Sequence, residues 1–177
     1  MSEQAEQPYE EIIQHAEQQR AQEQQLDVDE ETVQLVVFKI EDKMLAIPGC
    51  HVRELVPVGE IVYVPGTSEL FLGVIPIRGE IASVLYLARL LGLSTHPRPR
   101  TPNHRILMVV KEEMSTGVLV DAVADIIQTP KSAIQPHPST LNPQVALLAE
   151  GQILFGTEPA PVISVTALFR QLQELCA

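Results

Sequence analysis

The chain has 177 residues, 23 of them acidic and 12 basic, so its formal net charge at pH 7 is −11. Hydrophobic residues make up 45% of the sequence, which is typical of a globular protein with a sizeable core. The negative charge would repel phosphate backbones and there is no tryptophan, so we expect no nucleic-acid binding. No apolar run reaches the roughly 18 residues of a membrane-spanning helix, so we expect no membrane insertion either.

The N-terminal residues and the cysteines indicate a compartment. Residues 1–6 lack the basic and apolar regions of a secretory signal. The two cysteines, Cys50 and Cys176, fit ordinary reduced thiols. Together these features predict a cytoplasmic protein.

The acidity is concentrated in residues 1–32, which contain ten acidic residues, one arginine and eight glutamines. This composition buries too little apolar surface to offset the entropy of ordering, so we predict a solvated or loosely helical N-terminal arm. Tyr9, Ile12 and Ile13 fall at helical spacing, which leaves open a segment that docks on the body or on a partner. The nearly neutral remainder, residues 33–177, is predicted to be the folded domain.

The first half of this domain consists of short β-rich runs. Residues 34–40 and 44–47 are predicted to form a hairpin around a short polar turn. Prolines and glycines in residues 48–60 favour edge or irregular structure, and residues 61–64 are a further strand candidate. Residues 73–85 are predicted to form two strands about a turn at Arg78 and Gly79.

The second half continues the pattern with few helices. A short helix is predicted over residues 86–91, followed by an exposed proline-rich loop over residues 94–104. Residues 105–110 and 117–123 are predicted to form another hairpin, and shorter apolar runs follow between residues 145 and 165. An amphipathic helix over residues 166–175, capped by Thr166, is predicted to pack on a sheet. Many short strands predict small antiparallel barrels, and about 145 residues suit two five-stranded barrels.

Sequence motifs for catalysis and cofactor binding are absent. The sequence has no Gly-x-Ser-x-Gly elbow, no phosphate-binding loop and no Gly-x-Gly-x-x-Gly, so we expect no catalytic residues and no cofactor. Cys50 and His51 have no second Cys or His at finger spacing, so we expect no metal site. His104, in the proline-rich loop, is expected to be solvated. Asp121 is expected to be solvated or to cap a turn.

An ordered set of segments resembles the CheW-like family of chemotaxis coupling proteins, over about residues 33–175. Its most specific piece is Gly73 to Gly79, where the family usually has Gly-Val-x-Asn-Leu-Arg-Gly. Pro76 departs from that pattern because it stands where the family usually has Asn. The matching segments are residues 35–40, 52–55, 73–79, 86–92 and 117–123.

The resemblance implies an all-β fold of two intertwined five-stranded SH3-like barrels with a C-terminal helix. It implies a non-enzymatic adaptor that couples methyl-accepting receptors to a CheA-type histidine kinase, in chemotaxis, phototaxis or pilus-dependent motility. Two other functions stay open, a structural subunit of another complex and a small-molecule-binding barrel.

The resemblance also suggests which residues bind the partners. Arg78 matches a family position beside the receptor or kinase contact, and the alternative is a surface arginine paired with a neighbouring carboxylate. Gly73 and Gly79 are alternatively glycines required by a turn or bulge. Apolar candidates are expected to line a groove between the barrels, or else to be ordinary core. The partner-binding candidates are Val52, Gly73, Ile75, Ile77, Arg78 and Gly79.

Overall fold

The computed structural model describes residues 30–176. The predicted N-terminal arm lies outside the described residues except for its last three, and Thr32 already belongs to the first strand. Residues from Val33 onward form one compact unit.

Ten strands and three helices make up this unit. The strands are β1 (Thr32–Ile40), β2 (Lys43–Pro48), β3 (Val52–Pro57), β4 (Phe71–Ile77), β5 (Glu80–Leu85), β6 (Arg105–Lys111), β7 (Met114–Val120), β8 (Ala122–Pro130), β9 (Ala149–Phe155) and β10 (Glu158–Ile163). The helices are α1 (Leu87–Leu90), α2 (Pro143–Leu148) and α3 (Val165–Cys176).

The strands form two five-stranded sheets, ordered β8-β1-β2-β10-β9 and β3-β6-β7-β5-β4. The chain leaves the first sheet after β2 and returns to it with β8, so the second sheet is formed by a continuous middle segment. Each sheet combines antiparallel hairpins with one parallel pair, β2 with β10 and β5 with β7. The fold prediction is therefore confirmed, as two intertwined five-stranded SH3-like barrels with a C-terminal helix.

The largest apolar cluster draws on both sheets. It joins Phe38 and Leu45 of the first sheet to Leu107 and Val118 of the second, and α3 adds Phe169. Each sheet also encloses a smaller cluster of its own. Because the side chains of a strand alternate between faces, β1 supplies residues to two clusters.

One strand, β3, forms where the sequence predicted edge or irregular structure, and it lies at the edge of its sheet; another, β8, lies mostly beyond the strand predicted over residues 117–123. β3 occupies residues 52–57, with its proline at the last position, where a missing N–H is tolerated. β8 runs along the edge of the first sheet, and it keeps an exposed face that includes Ile126. The expected strand at residues 61–64 is reduced to a single bridge between Val62 and Val74.

The helices α2 and α3 differ from the prediction, because no helix was expected over residues 143–148 and α3 has a different N-terminal cap. Residues 143–148 form α2 because Asn142 accepts hydrogen bonds from the N–H groups of Gln144 and Val145, at 2.9 and 3.4 Å. The α3 helix is capped by Ser164, whose Oγ accepts from Ala167 N at 3.3 Å, and not by Thr166.

The expectation that His104 is solvated is wrong. Its side chain is buried, and its Nε2 lies 3.4 Å from Asp121 Oδ1. The other carboxylate oxygen of Asp121 accepts from Glu41 N at 2.6 Å, so Asp121 does cap a turn. That turn belongs to the β1–β2 hairpin, which is 80 residues away in sequence.

Candidate functional site

The β4–β5 hairpin carries the predicted Arg-Gly turn. Arg78 and Gly79 occupy its two loop positions, with φ of 51° and 86°. Positive φ at both positions matches the tight turn that suits the twist of the flanking strands. The turn leaves the Arg78 side chain 82% exposed.

Gly73 allows a close backbone approach near the other end of β4. Its φ is +139°, and a Cβ there would lie 2.2 Å from the carbonyl oxygen of Val62. Val62 and Val74 exchange two backbone hydrogen bonds across this contact, at 2.8 and 2.9 Å. Gly73 and Gly79 therefore shape the backbone, as the alternative interpretation proposed.

A group of charged side chains connects the hairpin tip to β3. Arg78 Nε lies 2.9 Å from Glu54 Oε2, and Arg53 Nη2 lies 3.9 Å from Glu80 Oε2. These ion pairs connect β3, at one edge of the second sheet, to the tip of the β4–β5 hairpin, whose first strand forms the opposite edge. With Ile77 they line a cleft of about 310 Å³.

Ile75 and Ile77 are core residues. Their side chains are only 4% and 8% exposed, and they belong to the cluster enclosed by the second sheet. They do not line an open groove between the barrels, because alternation along β4 turns them inward. The exposed positions are Pro76 and its cross-strand partner Ile81, which is 77% exposed.

Val52 lies apart from those two isoleucines. It pairs with Val109 and packs, partly buried, against the cluster shared by both sheets. Farther along the same strand, Leu55 is 37% exposed. The structure therefore brings Ile77 and Arg78 into one cleft and leaves Val52 and Ile75 outside its lining.

Sequence reasoning missed the charged partners and the exposed apolar pair of this site. Arg53 and Glu54 lie in a segment predicted to be edge or irregular structure, for which no pairing partner was assigned, so their facing positions were unknown. Ile81 and Pro76 could have been found from alternation, since the predicted strands placed them between inward-facing residues.

Burial raises the pKa of two titratable groups outside the cleft, Tyr86 and Glu150. Burial raises the pKa of the Tyr86 hydroxyl above its usual value of 10.0, and the nearby Glu41 carboxylate acts in the same direction. Desolvation raises the pKa of Glu150, and the charge of His51 opposes that effect. Within residues 30–176, no helix has both the length and the apolar character needed to cross a membrane.

The fold defines a small two-barrel domain whose β4–β5 hairpin exposes both charged and apolar side chains. Residues 34–173 match the family model of the CheW-like domain. The chain belongs to the CheW-like domain family.

Several known proteins are similar to this chain. A probable chemotaxis protein CheW from Rhizobium etli is 28% identical over 144 residues, which cover 81% of this chain and 92% of that protein. The chemotaxis protein CheW of Helicobacter pylori is 30% identical over 64% of this chain and 68% of its own length. Protein FrzA of Myxococcus xanthus is 31% identical over 57% of this chain and 62% of its own length.

A solved structure shares the fold. The scaffolding protein TtCheW from Thermoanaerobacter tengcongensis superposes with a TM-score of 0.67 and 26% sequence identity. The match covers 76% of this chain and 86% of that protein.

Proposed function

We propose that this protein is a non-enzymatic adaptor that couples methyl-accepting receptors to a CheA-type histidine kinase in the cytoplasm. The observation that carries the proposal is the family match over residues 34–173, which spans both sheets and most of α3. Relatives named for chemotaxis and a solved relative described as a scaffolding protein support the same function.

The β4–β5 hairpin is the contact surface that we favour. Arg78 presents a guanidinium that is largely exposed, and Pro76 and Ile81 provide apolar area on the same hairpin. A planar guanidinium beside apolar side chains suits a partner surface with a carboxylate at an apolar edge. Gly73 and Gly79 would contribute by fixing the backbone of this surface.

The two apolar candidates inside the fold would act indirectly. Ile75 is buried under the hairpin, and Ile77 lines the cleft but is only 8% exposed, so both would act mainly by supporting the shape of the surface. Val52 is partly buried and accessible, so a direct contact to a partner is proposed for it alone among the three.

Reconstitution tests the adaptor function. Kinase, receptor-containing membranes and this protein are combined, and phosphorylation of the kinase is measured with each component omitted in turn. We expect activation that requires all three, because an adaptor acts by assembly. Activation of the kinase without receptor, or without this protein, would contradict coupling and favour a structural subunit of another complex.

Arg78→Glu tests the surface. The Arg78 side chain is 82% exposed, so the fold should be retained, but Glu54 is only 16% exposed, so the charge reversal should lower the melting temperature more than loss of a fully exposed pair would. Binding to receptor or kinase should weaken more than about tenfold, because like charges would face each other where a pair was lost. Titration with each partner separately shows which of the two contacts Arg78.

Two further variants keep this test decisive. Arg170→Glu, on an exposed position of α3, makes the same charge change away from the hairpin and should leave binding unchanged. Arg78→Gln removes the charge without placing a second carboxylate beside Glu54. Unfolding of both Arg78 variants would assign the residue to barrel closure, and normal binding by folded variants would remove it from the surface.

A further inference from the structure

One stretch of this acidic protein is strongly basic. Residues 81–111 contain five basic residues and no acidic residue, although residues 33–177 carry 13 acids and 11 bases. Four of the five are arginines in or beside the proline-rich loop between α1 and β6. The basic residues are Arg89, Arg98, Arg100, Arg105 and Lys111.

The proline-rich loop is exposed and also held in place. Residues 95–103 are all exposed. The Tyr86 hydroxyl donates to the carbonyl of His96 at 2.8 Å, which tethers the start of this loop. Toward its end, Thr101 N donates to His104 Nδ1 at 3.2 Å and His104 N donates to the carbonyl of Thr101 at 3.1 Å.

The conformation of this loop is restricted before any partner binds. Prolines restrict the backbone of an extended segment, and the tethers restrict it further. A segment that is ordered before binding loses less conformational entropy when a partner binds.

Two of the arginines have no carboxylate partner among the described residues. Arg89 pairs with Glu69, and Arg98 pairs with Glu41. By contrast, no carboxylate of the described part of the chain lies within ion-pair distance of Arg100 or Arg105.

The contacts of these two arginines use few of their donors. Arg100 Nη1 donates to the carbonyl of Gly59 at 3.0 Å. Arg105 Nη1 donates to the carbonyls of Pro102 and His104, at 2.6 and 2.7 Å. Each guanidinium has five N–H donors, so both retain donors for a ligand.

We propose that residues 97–105 bind a short acidic segment of a partner protein, whose carboxylates pair with Arg100 and Arg105. Guanidinium groups bind carboxylates in a two-pronged geometry, and the three prolines of the segment, Pro97, Pro99 and Pro102, offer apolar surface to the partner backbone. A nucleic acid or an anionic membrane is disfavoured, because such an extended polyanion would also meet the net charge of −11. This contact is separate from the β4–β5 hairpin and adds a further attachment point to the protein.

Fluorescence anisotropy with the full chain tests the proposal. The probe is a fluorescein-labelled peptide rich in glutamate, and the control probe has glutamine at every glutamate position. We expect saturable binding of the first probe only. Raising the salt from about 0.15 M to 1 M, which shortens the Debye length from about 8 to 3 Å, should abolish it.

Charge reversal locates the site. Arg100→Glu should weaken peptide binding by about tenfold or more while the melting temperature is retained, because its described contact is one surface hydrogen bond. Arg170→Glu serves as the matched control and should bind as the unchanged protein does. Arg100→Gln provides a folded alternative if the glutamate variant is unstable.

Three results would overturn the proposal. Equal weakening by Arg100→Glu and Arg170→Glu would indicate a general charge effect. Equal binding of the glutamine probe would exclude recognition of carboxylates. Arg100-dependent binding to phosphatidylglycerol vesicles or to single-stranded RNA, with no peptide binding, would replace the acidic segment by that polyanion. Because receptor and kinase are absent, a negative result leaves the adaptor proposal standing.

Discussion

Asp121 links parts of the chain that are far apart in sequence. It lies between β7 of the second sheet and β8 of the first, and its N–H donates to the carbonyl of Lys39 at 2.9 Å. Its carboxylate accepts from Glu41 N and faces His104 Nε2. One short side chain therefore joins the turn after β1 to the start of β6, at the place where the chain passes between barrels.

Asp121→Ala should destabilise the fold by about 1.5–3 kcal/mol, because a charged acceptor is lost and Glu41 N is left without its partner. The measurement is urea unfolding at neutral pH. Asp125→Ala is the matched control, since the Asp125 carboxylate is exposed and accepts only from the adjacent Ile126 N among its described hydrogen bonds. Equal midpoints for the two variants would show that Asp121 does not hold this junction.

The buried Tyr86 hydroxyl should make the stability of the fold sensitive to alkaline pH. Burial raises its pKa in the folded protein above 10.0, so the folded state holds the phenolic proton more tightly than the unfolded state does. The stabilisation that comes from the protonated Tyr86 hydroxyl is complete below about pH 10. It is lost as the pH rises from about 10 toward the pKa of the folded state. Tyr86→Phe should therefore show a shallower fall in unfolding free energy above pH of about 10 in urea titrations, and parallel slopes would contradict this.

At the scale of elements, the pattern of apolar residues along a strand follows the number of its faces that are buried. β1 presents Leu35 and Val37 to one cluster and Val36 and Phe38 to another, so a continuous apolar run is required there. β4 alternates because one of its faces is exposed near the hairpin tip. Apolar side chains are therefore buried on both faces of β1 from Leu35 to Phe38, whereas in the edge strand β4 the inward-facing residues alternate with an exposed position at Pro76.

Gly73→Ala tests the close approach in β4. The added Cβ would meet the Val62 carbonyl at 2.2 Å, and the positive φ would also strain an alanine. Gly66→Ala is the control, because Gly66 also has positive φ, +82°, but nothing lies within 4 Å of the added Cβ. We expect Gly73→Ala to cost about 1–3 kcal/mol more than Gly66→Ala in thermal or urea unfolding. Equal losses of stability in the two variants would show that only the positive φ, and not the contact with Val62, disfavours alanine at position 73.

At the scale of the whole molecule, the two barrels share one core. The largest cluster includes side chains from both sheets and from α3, so neither sheet can be opened without exposing the apolar side chains of the other. We therefore expect the described domain to unfold in a single cooperative transition.

Removal of the acidic arm tests its predicted independence. A chain that begins at Glu31 should melt cooperatively within a few degrees of the full-length protein, because the arm's composition offers little apolar area to bury. A large loss of melting temperature would instead show that Ile12 and Ile13 dock on the body. Thermal unfolding followed by circular dichroism distinguishes the two outcomes.

The sequence alone determined the elements whose contacts are local. The β1–β2, β4–β5 and β6–β7 hairpins were predictable, because in each a short polar or glycine-containing turn separates two apolar runs that are adjacent in the chain. The ordered set of segments that includes Gly73 to Gly79 also indicated the family, and the spacing of the short strands agreed with its two-barrel architecture.

Only the tertiary structure decided features that depend on distant partners. β8 is a strand because it pairs with β1, and His104 is buried because it meets Asp121. Which of Ile75, Pro76 and Ile77 is exposed depended on which face of β4 the second barrel covers. Propensity and turn chemistry act between neighbouring residues, whereas burial and edge pairing are set by segments that meet only after the chain has folded.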